Sequence, residues 1–421
     1  MRYVRIYESW RGNKMLDFNV VNRLSQYIIT DGFHVVVDPD KSQGSWIVDA
    51  ETGRSYLDCY SQFASQPLGW NHERLRQAKD HLGEAAIHKL ANSDMYSLDY
   101  VEFVEKFAEI TPDFSHYFFI DGGALGVENA LKASFDWKAQ KCGIRNQGSV
   151  NKLDVVHFYK AFHGRSGYTL SLTNTELNKT KLFPQFNWTT IYDIDKLDTY
   201  MHPEVAAIIV EPIQGEGGDK HFDPQIFHEL RSLADMYDSM LIFDEVQTGL
   251  GTTGKMWAYE HFGVVPDMMC FGKKTQVCGF CATNRIDEVK ENVFSTSGRI
   301  NSTWGGNIVD MVRSMYIIEI IQEEGLVEKA RHTGDLFISV LEGIKGLSNV
   351  RGKGLMIAFD LDTTPQRDEF KAILQNEMLV LTCGTKSIRL RPALNFDTEE
   401  VYVACQMIED TVAKLKGETN E

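Results

Sequence analysis

Cysteine is scarce and odd in number, with seven residues scattered through a chain of 421. That excludes the paired framework of a small secreted domain and fits reduced thiols in a cytoplasmic protein. The pair Cys278-Gly-Phe-Cys281 has no second CxxC and no nearby His to complete a zinc site, so inert, buried thiols and no metal are expected there. Long hydrophobic runs are missing too. The densest stretches, Val205–Val210 and Leu241–Phe243, are strand-length and run into acids, whereas a bilayer-spanning helix needs about 20 apolar residues. No membrane association is expected. Positive charge is in deficit: 43 Lys and Arg against 59 Asp and Glu leave a formal charge of −16. Such a chain lacks the footprint of a phosphate-backbone binder, so nucleic acid is not an expected partner. A local basic pocket for a small anion remains compatible with it. The opening MRYVRIYESWRGNK holds four basic residues and one acid but no apolar core segment, which argues against a secretory signal and for a frayed extension.

What is present is ordinary for a soluble globular protein: 43% apolar and 24% charged residues. The length suits two or three domains, or one large domain with a satellite. Apolar strand candidates at His116–Ile120, Asp154–Tyr159, Val205–Ile213, Met240–Val246 and Met268–Phe271 alternate with helix-like stretches such as Val127–Lys141. Near-continuous apolar strands separated by helices predict a mostly parallel sheet covered on both faces, with ligands outside the carboxyl ends of its strands. From Ile308 to Leu347 the pattern is long and helical. Strands are expected at Val350–Leu361 and Ser387–Leu394, then a closing helix over Thr398–Lys416. The expected organisation is an N-terminal segment, 1–80, packing with a small C-terminal α+β domain, 306–421, around a large α/β domain, 81–305. The polar loops Lys141–Lys152 and Thr173–Thr190 are the softest positions.

Four strand ends deliver polar groups directly after apolar residues. Ile120-Asp121-Gly122-Gly123-Ala124 is a Gly-rich turn opening a helix, whose free amides suit an anion or serve only as a cap. Asp244, after Leu241-Ile242-Phe243, is a carboxylate at the end of a buried strand and is costly there unless it meets a cation or a strong donor. Lys273 follows Met269-Cys270-Phe271-Gly272. Desolvation at such a position disfavours the ammonium, as a nucleophilic lysine requires. The 29 residues from Asp244 to Lys273 suit one crossover between neighbouring parallel strands. Side-chain alternation lets only one of Lys273 and Lys274 face a site. The fourth end is Glu211-Pro212-Ile213-Gln214-Gly215-Glu216-Gly217-Gly218. A competing motif, Gly249-Leu250-Gly251-Thr252-Thr253-Gly254-Lys255, matches a P-loop for seven positions, but Met256 stands where Ser or Thr must bind Mg²⁺. A nucleotide-hydrolysing reading is therefore disfavoured.

These residues carry a resemblance. Asp244-Glu245-Val246-Gln247-Thr248-Gly249 followed by Gly272-Lys273 resembles the class III pyridoxal-phosphate aminotransferases. The stretches Gly122–Lys132, Ala161–Asn174, Glu211–Gly218, Gly272–Gly279 and Asn301–Asn307 are similar to the L-lysine 6-aminotransferases within that class. The resemblance implies the α/β fold of type I PLP-dependent transferases, with a mostly parallel central sheet, a smaller α+β domain, and a homodimer sharing its sites. It implies pyridoxal 5'-phosphate as cofactor and Lys273 as its Schiff-base lysine, with Lys274 pointing outward. Asp244 then pairs with the pyridine nitrogen, Gln247 lies near the phenolic oxygen, and Phe162 stacks on the ring. Gly123 and Ala124 cradle the phosphate, and Thr303 reaches it from the partner subunit. Ala124 replaces a hydroxyl residue common in the wider class.

The implied substrates are L-lysine and 2-oxoglutarate, giving 2-aminoadipate 6-semialdehyde and L-glutamate. In this scheme Arg165 holds the distal carboxylate of either substrate and Arg391 the α-carboxylate of glutamate. Glu216 pairs with Arg391 whenever lysine is bound. Alternation puts Arg389 and Arg391 on one strand face, so the pattern alone does not choose between them. Another ω-aminotransferase, acting on ornithine or GABA, is the near alternative, and aminomutase chemistry on the same fold a more distant one.

Overall fold

The computed structural model describes residues 19–417, so the expected frayed extension lies outside the described residues. Among these residues the chain builds a seven-stranded sheet. Its order is His116–Ile120, Cys278–Ala282, Met268–Phe271, Met240–Asp244, Val205–Val210, Asp154–Phe158 and Thr190–Ile191. Met240–Asp244 and Met268–Phe271 are parallel neighbours, as the 29-residue interval predicts. Cys278–Ala282 runs antiparallel to both its neighbours. The link 272–277 is too short for a crossover, which takes a dozen residues or more, so the chain can only turn back on itself.

Strand alternation sorts the core into two layers. Val155, Ala207, Ile209, Ile242, Met268 and Cys270 face one side, where they meet Val127, Ala130, Leu131 and Trp137 of the helix Gly123–Lys141. Val156, Ile208, Val210, Leu241, Phe243, Met269 and Phe271 face the other, against Phe227 and Leu230 of the helix Pro224–Met236. Both faces are covered, which is why these strands are apolar along most of their length, with His157 a buried exception inside Asp154–Phe158. The helix Gly123–Lys141 seats closely because Gly126 meets Gly279: a Cβ at Gly126 would come 2.7 Å from the Gly279 carbonyl oxygen.

Toward the C-terminus, Ser348–Lys353, Met356–Asp360, Ser387–Leu390 and Leu381–Cys383 form a four-stranded antiparallel sheet in that order. Val350–Leu361 is therefore a hairpin rather than one strand. It breaks at Gly354, whose φ of +55° glycine adopts without the Cβ penalty. Ser55–Asp58 pairs in parallel with Met378–Leu379, which joins the first strands of the chain to residues near its end. The Thr173–Thr190 loop contains a short helical turn, Leu177–Lys179. Cys278 and Cys281 lie three apart on one strand and so point to opposite faces, which cannot chelate one ion. The P-loop-like segment Gly249–Lys255 is followed by the short turn Ala258–His261 rather than by the helix that a phosphate loop opens.

Candidate active site

The carboxyl ends of the central strands converge on one cleft of about 390 Å³, lined by Gly123, Ala124, Phe162, His163, Gly164, Glu211, Asp244, Val246, Gln247 and Lys273. Six sequence-predicted residues (Gly123, Ala124, Phe162, Asp244, Gln247 and Lys273) are thus brought together. Thr303 is not among them; it sits exposed in the turn before the helix Ile308–Glu323.

At one end of the cleft the helix Gly123–Lys141 begins, with Gly122 before it at φ +104°. Its first amides have no helical acceptor and face the cleft beside the positive end of the helix dipole. The approach is tight: a Cβ on Gly164 would lie 2.5 Å from the Ala124 side chain. On the floor, Asp244 Oδ1 accepts from the Val246 amide at 3.1 Å, and Oδ2 lies 2.8 Å from His163 Nδ1. A carboxylate accepts only, so the imidazole proton is on Nδ1. His163 Nε2 is buried with no partner among the described residues. Glu211, buried alongside, accepts from the amides of Phe162 at 2.9 Å and Gly215 at 3.3 Å. Burial is the main cause that lifts its carboxyl to about 7. Glu245, next to Asp244, turns to the other side and accepts from the amides of Ala258 and Tyr259 at 3.0 and 2.8 Å.

Lys273 lies one residue past its strand, after Gly272, and holds φ +55°, a left-handed backbone that is uncommon for a residue with a side chain. Burial first, then the charges of Arg389 and Arg391, lower its ammonium to about 8, while Asp244 and Glu211 oppose the shift. Lys274 lines neither cleft, yet it does not reach solvent. It is 2% exposed and its Nζ donates to the Gln247 carbonyl at 3.3 Å. The outward lysine is therefore a buried one, and desolvation holds its ammonium well below the ordinary value.

A second cleft, of about 650 Å³, opens from the first and shares Phe162, Gln247 and Lys273 with it. Arg165, Glu216 and Arg391 line it, as expected, together with Phe63, Leu381 and Arg389. The pairing within it differs from the expectation. Glu216 Oε2 accepts from Arg389 Nη2 at 2.8 Å, and its Oε1 from Lys179 Nζ at 2.5 Å. Arg391 does not touch Glu216. It is committed to the buried Asp219, to Gln247 Oε1 at 3.1 and 3.2 Å, and to the carbonyls of Ile357 and Leu390. Arg389, by contrast, keeps a buried Nε with no partner. The arginine free to meet a ligand beside Glu216 is Arg389.

Sequence reasoning missed Phe63, His163 as a partner of Asp244, and Lys179. Phe63 sits in a left-handed turn, Ser61–Ala64, with φ from 44° to 62°. Each such residue costs about 1–2 kcal/mol. The turn is held by Asp58, whose Oδ1 accepts from the Tyr60 and Ser61 amides at 3.0 and 2.7 Å. Only the Asp three residues before Ser61 hinted at it.

A fold with polar strand ends around a lysine and a buried aspartate defines a class, and similarity to known proteins names it. The family model for aminotransferase class III matches residues 28–412, and the chain belongs to that family. It is 44% identical to an L-lysine-epsilon aminotransferase of Mycobacterium bovis over 415 residues, 90% of this chain and 92% of that one. It is 41% identical to one from Streptomyces clavuligerus, with 94% of each chain covered. Its structure matches a lysine aminotransferase from Mycobacterium tuberculosis with a TM-score of 0.89 at 43% identity, over 94% of this chain and 99% of that one.

Pyridoxal phosphate is the cofactor of this class, and the cleft fits it on three counts. The amides at Gly123 and Ala124 suit a phosphate. Asp244, fixed by His163, offers a carboxylate to a ring nitrogen between the apolar walls of Phe162 and Val246. Lys273 presents an amine with depressed basicity to an aldehyde carbon.

Proposed function

We propose that this chain transfers the ε-amino group of L-lysine to 2-oxoglutarate, forming 2-aminoadipate 6-semialdehyde and L-glutamate. The observation that carries this reading is the Glu216–Arg389 pair beside Lys273. Lysine offers the site a bare CH₂–NH₂, whereas glutamate and 2-oxoglutarate bring a carboxylate next to the reacting carbon. An arginine that binds that carboxylate would be left unpaired and partly buried beside lysine's methylene, a costly arrangement. Glu216 neutralises Arg389 for lysine and yields it to a dicarboxylate.

The cofactor, when bound, supplies an aldehyde carbon and a ring that takes up the electrons released on C–H cleavage. The residues do the rest. Asp244, oriented by His163, keeps the ring nitrogen protonated. Lys273 Nζ, with a sizeable free-amine fraction near neutral pH, moves a proton to and from the reacting substrate carbon. Arg165, whose guanidinium carbon lies 5.7 Å from the Phe162 ring, binds the distal carboxylate of either substrate, and its planar fork suits the task. Gln247 is the candidate partner of the cofactor's phenolic oxygen.

The same reading takes a homodimer in which Thr303 of each subunit reaches the other's phosphate. Its support is the exposure of the large apolar side chains of Met95, Tyr96, Leu98 and Trp304, in two segments joined where Asn92 donates to the Gly305 and Gly306 carbonyls. It also keeps the division at about residues 80 and 305, and a cytoplasmic location. No helix among the described residues is long and apolar enough to cross a membrane. The test is a donor panel of lysine, ornithine and 4-aminobutyrate with 2-oxoglutarate. The highest kcat/KM is expected for lysine, with the cyclised semialdehyde as product, and a higher value for another donor overturns the assignment.

A further inference from the structure

We propose that Lys179 is a positioning residue, the pivot on which Glu216 swings, and so sets how readily the site admits a dicarboxylate. The proposal rests on the lysine and 2-oxoglutarate reading above. Glu216 is held at both oxygens, by Arg389 at 2.8 Å on Oε2 and by Lys179 at 2.5 Å on Oε1. The two contacts are not equivalent. Arg389 belongs to a strand of the small sheet and lines the second cleft, and its buried Nε has no partner among the described residues. Lys179 ends the short turn Leu177–Lys179 in an otherwise outward-facing loop, where Leu177 and Leu182 are 79% and 84% exposed. Its side chain turns in, 15% exposed, as does that of the neighbouring Thr180, and its Nζ lies 5.7 Å from the Phe162 ring.

When a dicarboxylate takes Arg389, Glu216 must give up its Oε2 contact. A half-buried carboxylate that leaves one cation needs another, or its release is prohibitive. Lys179 supplies it without moving, because its bond is to the other oxygen. Glu216 therefore rotates about the Oε1–Nζ contact rather than escaping to solvent. A ligand carrying only the distal carboxylate, held by Arg165, leaves the Glu216–Arg389 pair closed and makes no demand on Lys179.

The test separates a pivot from a plain carboxylate ligand. Glutarate and pentanoate share a chain length and differ by the second carboxylate, and neither can react. Calorimetric titration of the holoenzyme is expected to show Lys179→Met binding glutarate about tenfold more weakly, the scale of one hydrogen bond to a charged partner. Pentanoate affinity should stay within about twofold on the same scale. Lys179→Arg, which keeps the charge, should recover glutarate binding. In single-turnover experiments Lys179→Met should raise the KM for glutamate and leave that for lysine unchanged. Equal weakening of both ligands would make Lys179 a direct carboxylate ligand and overturn the pivot, and so would no weakening of either or tighter glutarate binding. Circular dichroism and cofactor absorbance check that the variant is folded and loaded, and Lys179→Gln provides a second neutral substitution. A wild-type enzyme that does not convert lysine would remove the substrate assignment but leave the glutarate–pentanoate contrast standing, so the two ideas fail separately.

Discussion

Lys273 should carry a free amine at a pH where other lysines are fully protonated. Its ammonium is lowered from 10.5 to about 8, chiefly by burial and then by Arg389. That lowering is worth about 3 kcal/mol against the charged form. At pH 7 roughly one Lys273 in ten is then neutral, against roughly one ordinary lysine in 3,000, an enrichment of about 300-fold. The perturbation is removal of the cofactor, which leaves the side chain open to an acylating reagent. Labelling measured peptide by peptide across pH should reach its midpoint near 8 at Lys273. At exposed Lys196, whose hydrogen bond to Asp193 holds its ammonium above the ordinary value, labelling should still be rising past 10.5. Two variants should move the Lys273 midpoint in opposite directions. Arg389→Met removes a positive neighbour and raises it, while Asp244→Asn removes a negative one and lowers it. Linkage adds a second readout. The folded value lies below the unfolded one, so the unfolded chain binds more protons between about 8 and 10.5. Lys273 should therefore contribute stability to the cofactor-free protein that grows with pH across that window, with its penalty complete below 8. Lys273→Met should lower the slope by that share, while the buried Lys274 keeps its own contribution of the same sign and the buried thiols of Cys59, Cys270 and Cys281 theirs of the opposite sign. A labelling midpoint at 10 or above, or shifts of one sign in both variants, would refute the reasoning.

Asp244→Asn should keep the cofactor bound while transamination falls by about two orders of magnitude or more, the usual scale for one misplaced charge in a preorganised site. Absorbance and steady-state rates check it. Glu216→Ala should weaken the lysine half-reaction and spare that of glutamate, with Arg389→Ala doing the reverse; single-turnover spectra with each donor decide it. Mixing inactive Lys273→Ala with Thr303→Ala protomers should restore one intact site per heterodimer and so recover activity, provided Thr303→Ala alone is impaired and subunit exchange is verified. Gly126→Ala should lower the urea midpoint by the equivalent of about 1–3 kcal/mol, because its Cβ would press on the Gly279 carbonyl across the helix–sheet contact.

The central sheet was legible because its signals are local. Each apolar strand is short and bounded, and the 29-residue interval fixes a crossover. The polar residue after each strand must then land at the carboxyl edge. The cleft around Lys273, Asp244, Gly123 and Phe162 follows from that placement. What stayed hidden depends on residues meeting across the fold. Val350–Leu361 has strand composition throughout, and only the left-handed Gly354 divides it. Ser61–Ala64 adopts a left-handed turn that no propensity favours, held by Asp58 and by packing against residues far along the chain. Lys274 looks like half of a solvated basic pair, but the chain after Phe271 turns back too sharply to let it out. Lys179 lies in what reads as the softest loop, and nothing nearby in sequence announces the carboxylate it meets 37 residues on.

Arg389 and Arg391 show most clearly where pattern ends. Two arginines separated by one leucine share a face, and both do line the second cleft. Their fates diverge because Ser387–Leu390 ends between them. Arg389, still paired in the sheet opposite Ala358 and Leu381, projects into the cleft at the height of Glu216. Arg391, one residue past the strand, meets Asp219 and Gln247 instead, and five acceptor contacts fix it there. A guanidinium so fully paired would have to break several charge-assisted bonds to bind a substrate carboxylate, whereas Arg389 needs only to exchange one carboxylate for another. The resemblance puts this exchange at Arg391; the reading proposed above puts it at Arg389, because that is the arginine paired with Glu216. Arg391 becomes the brace that holds Gln247 and the Asp219 loop, and through that loop Glu216, within reach of Lys273.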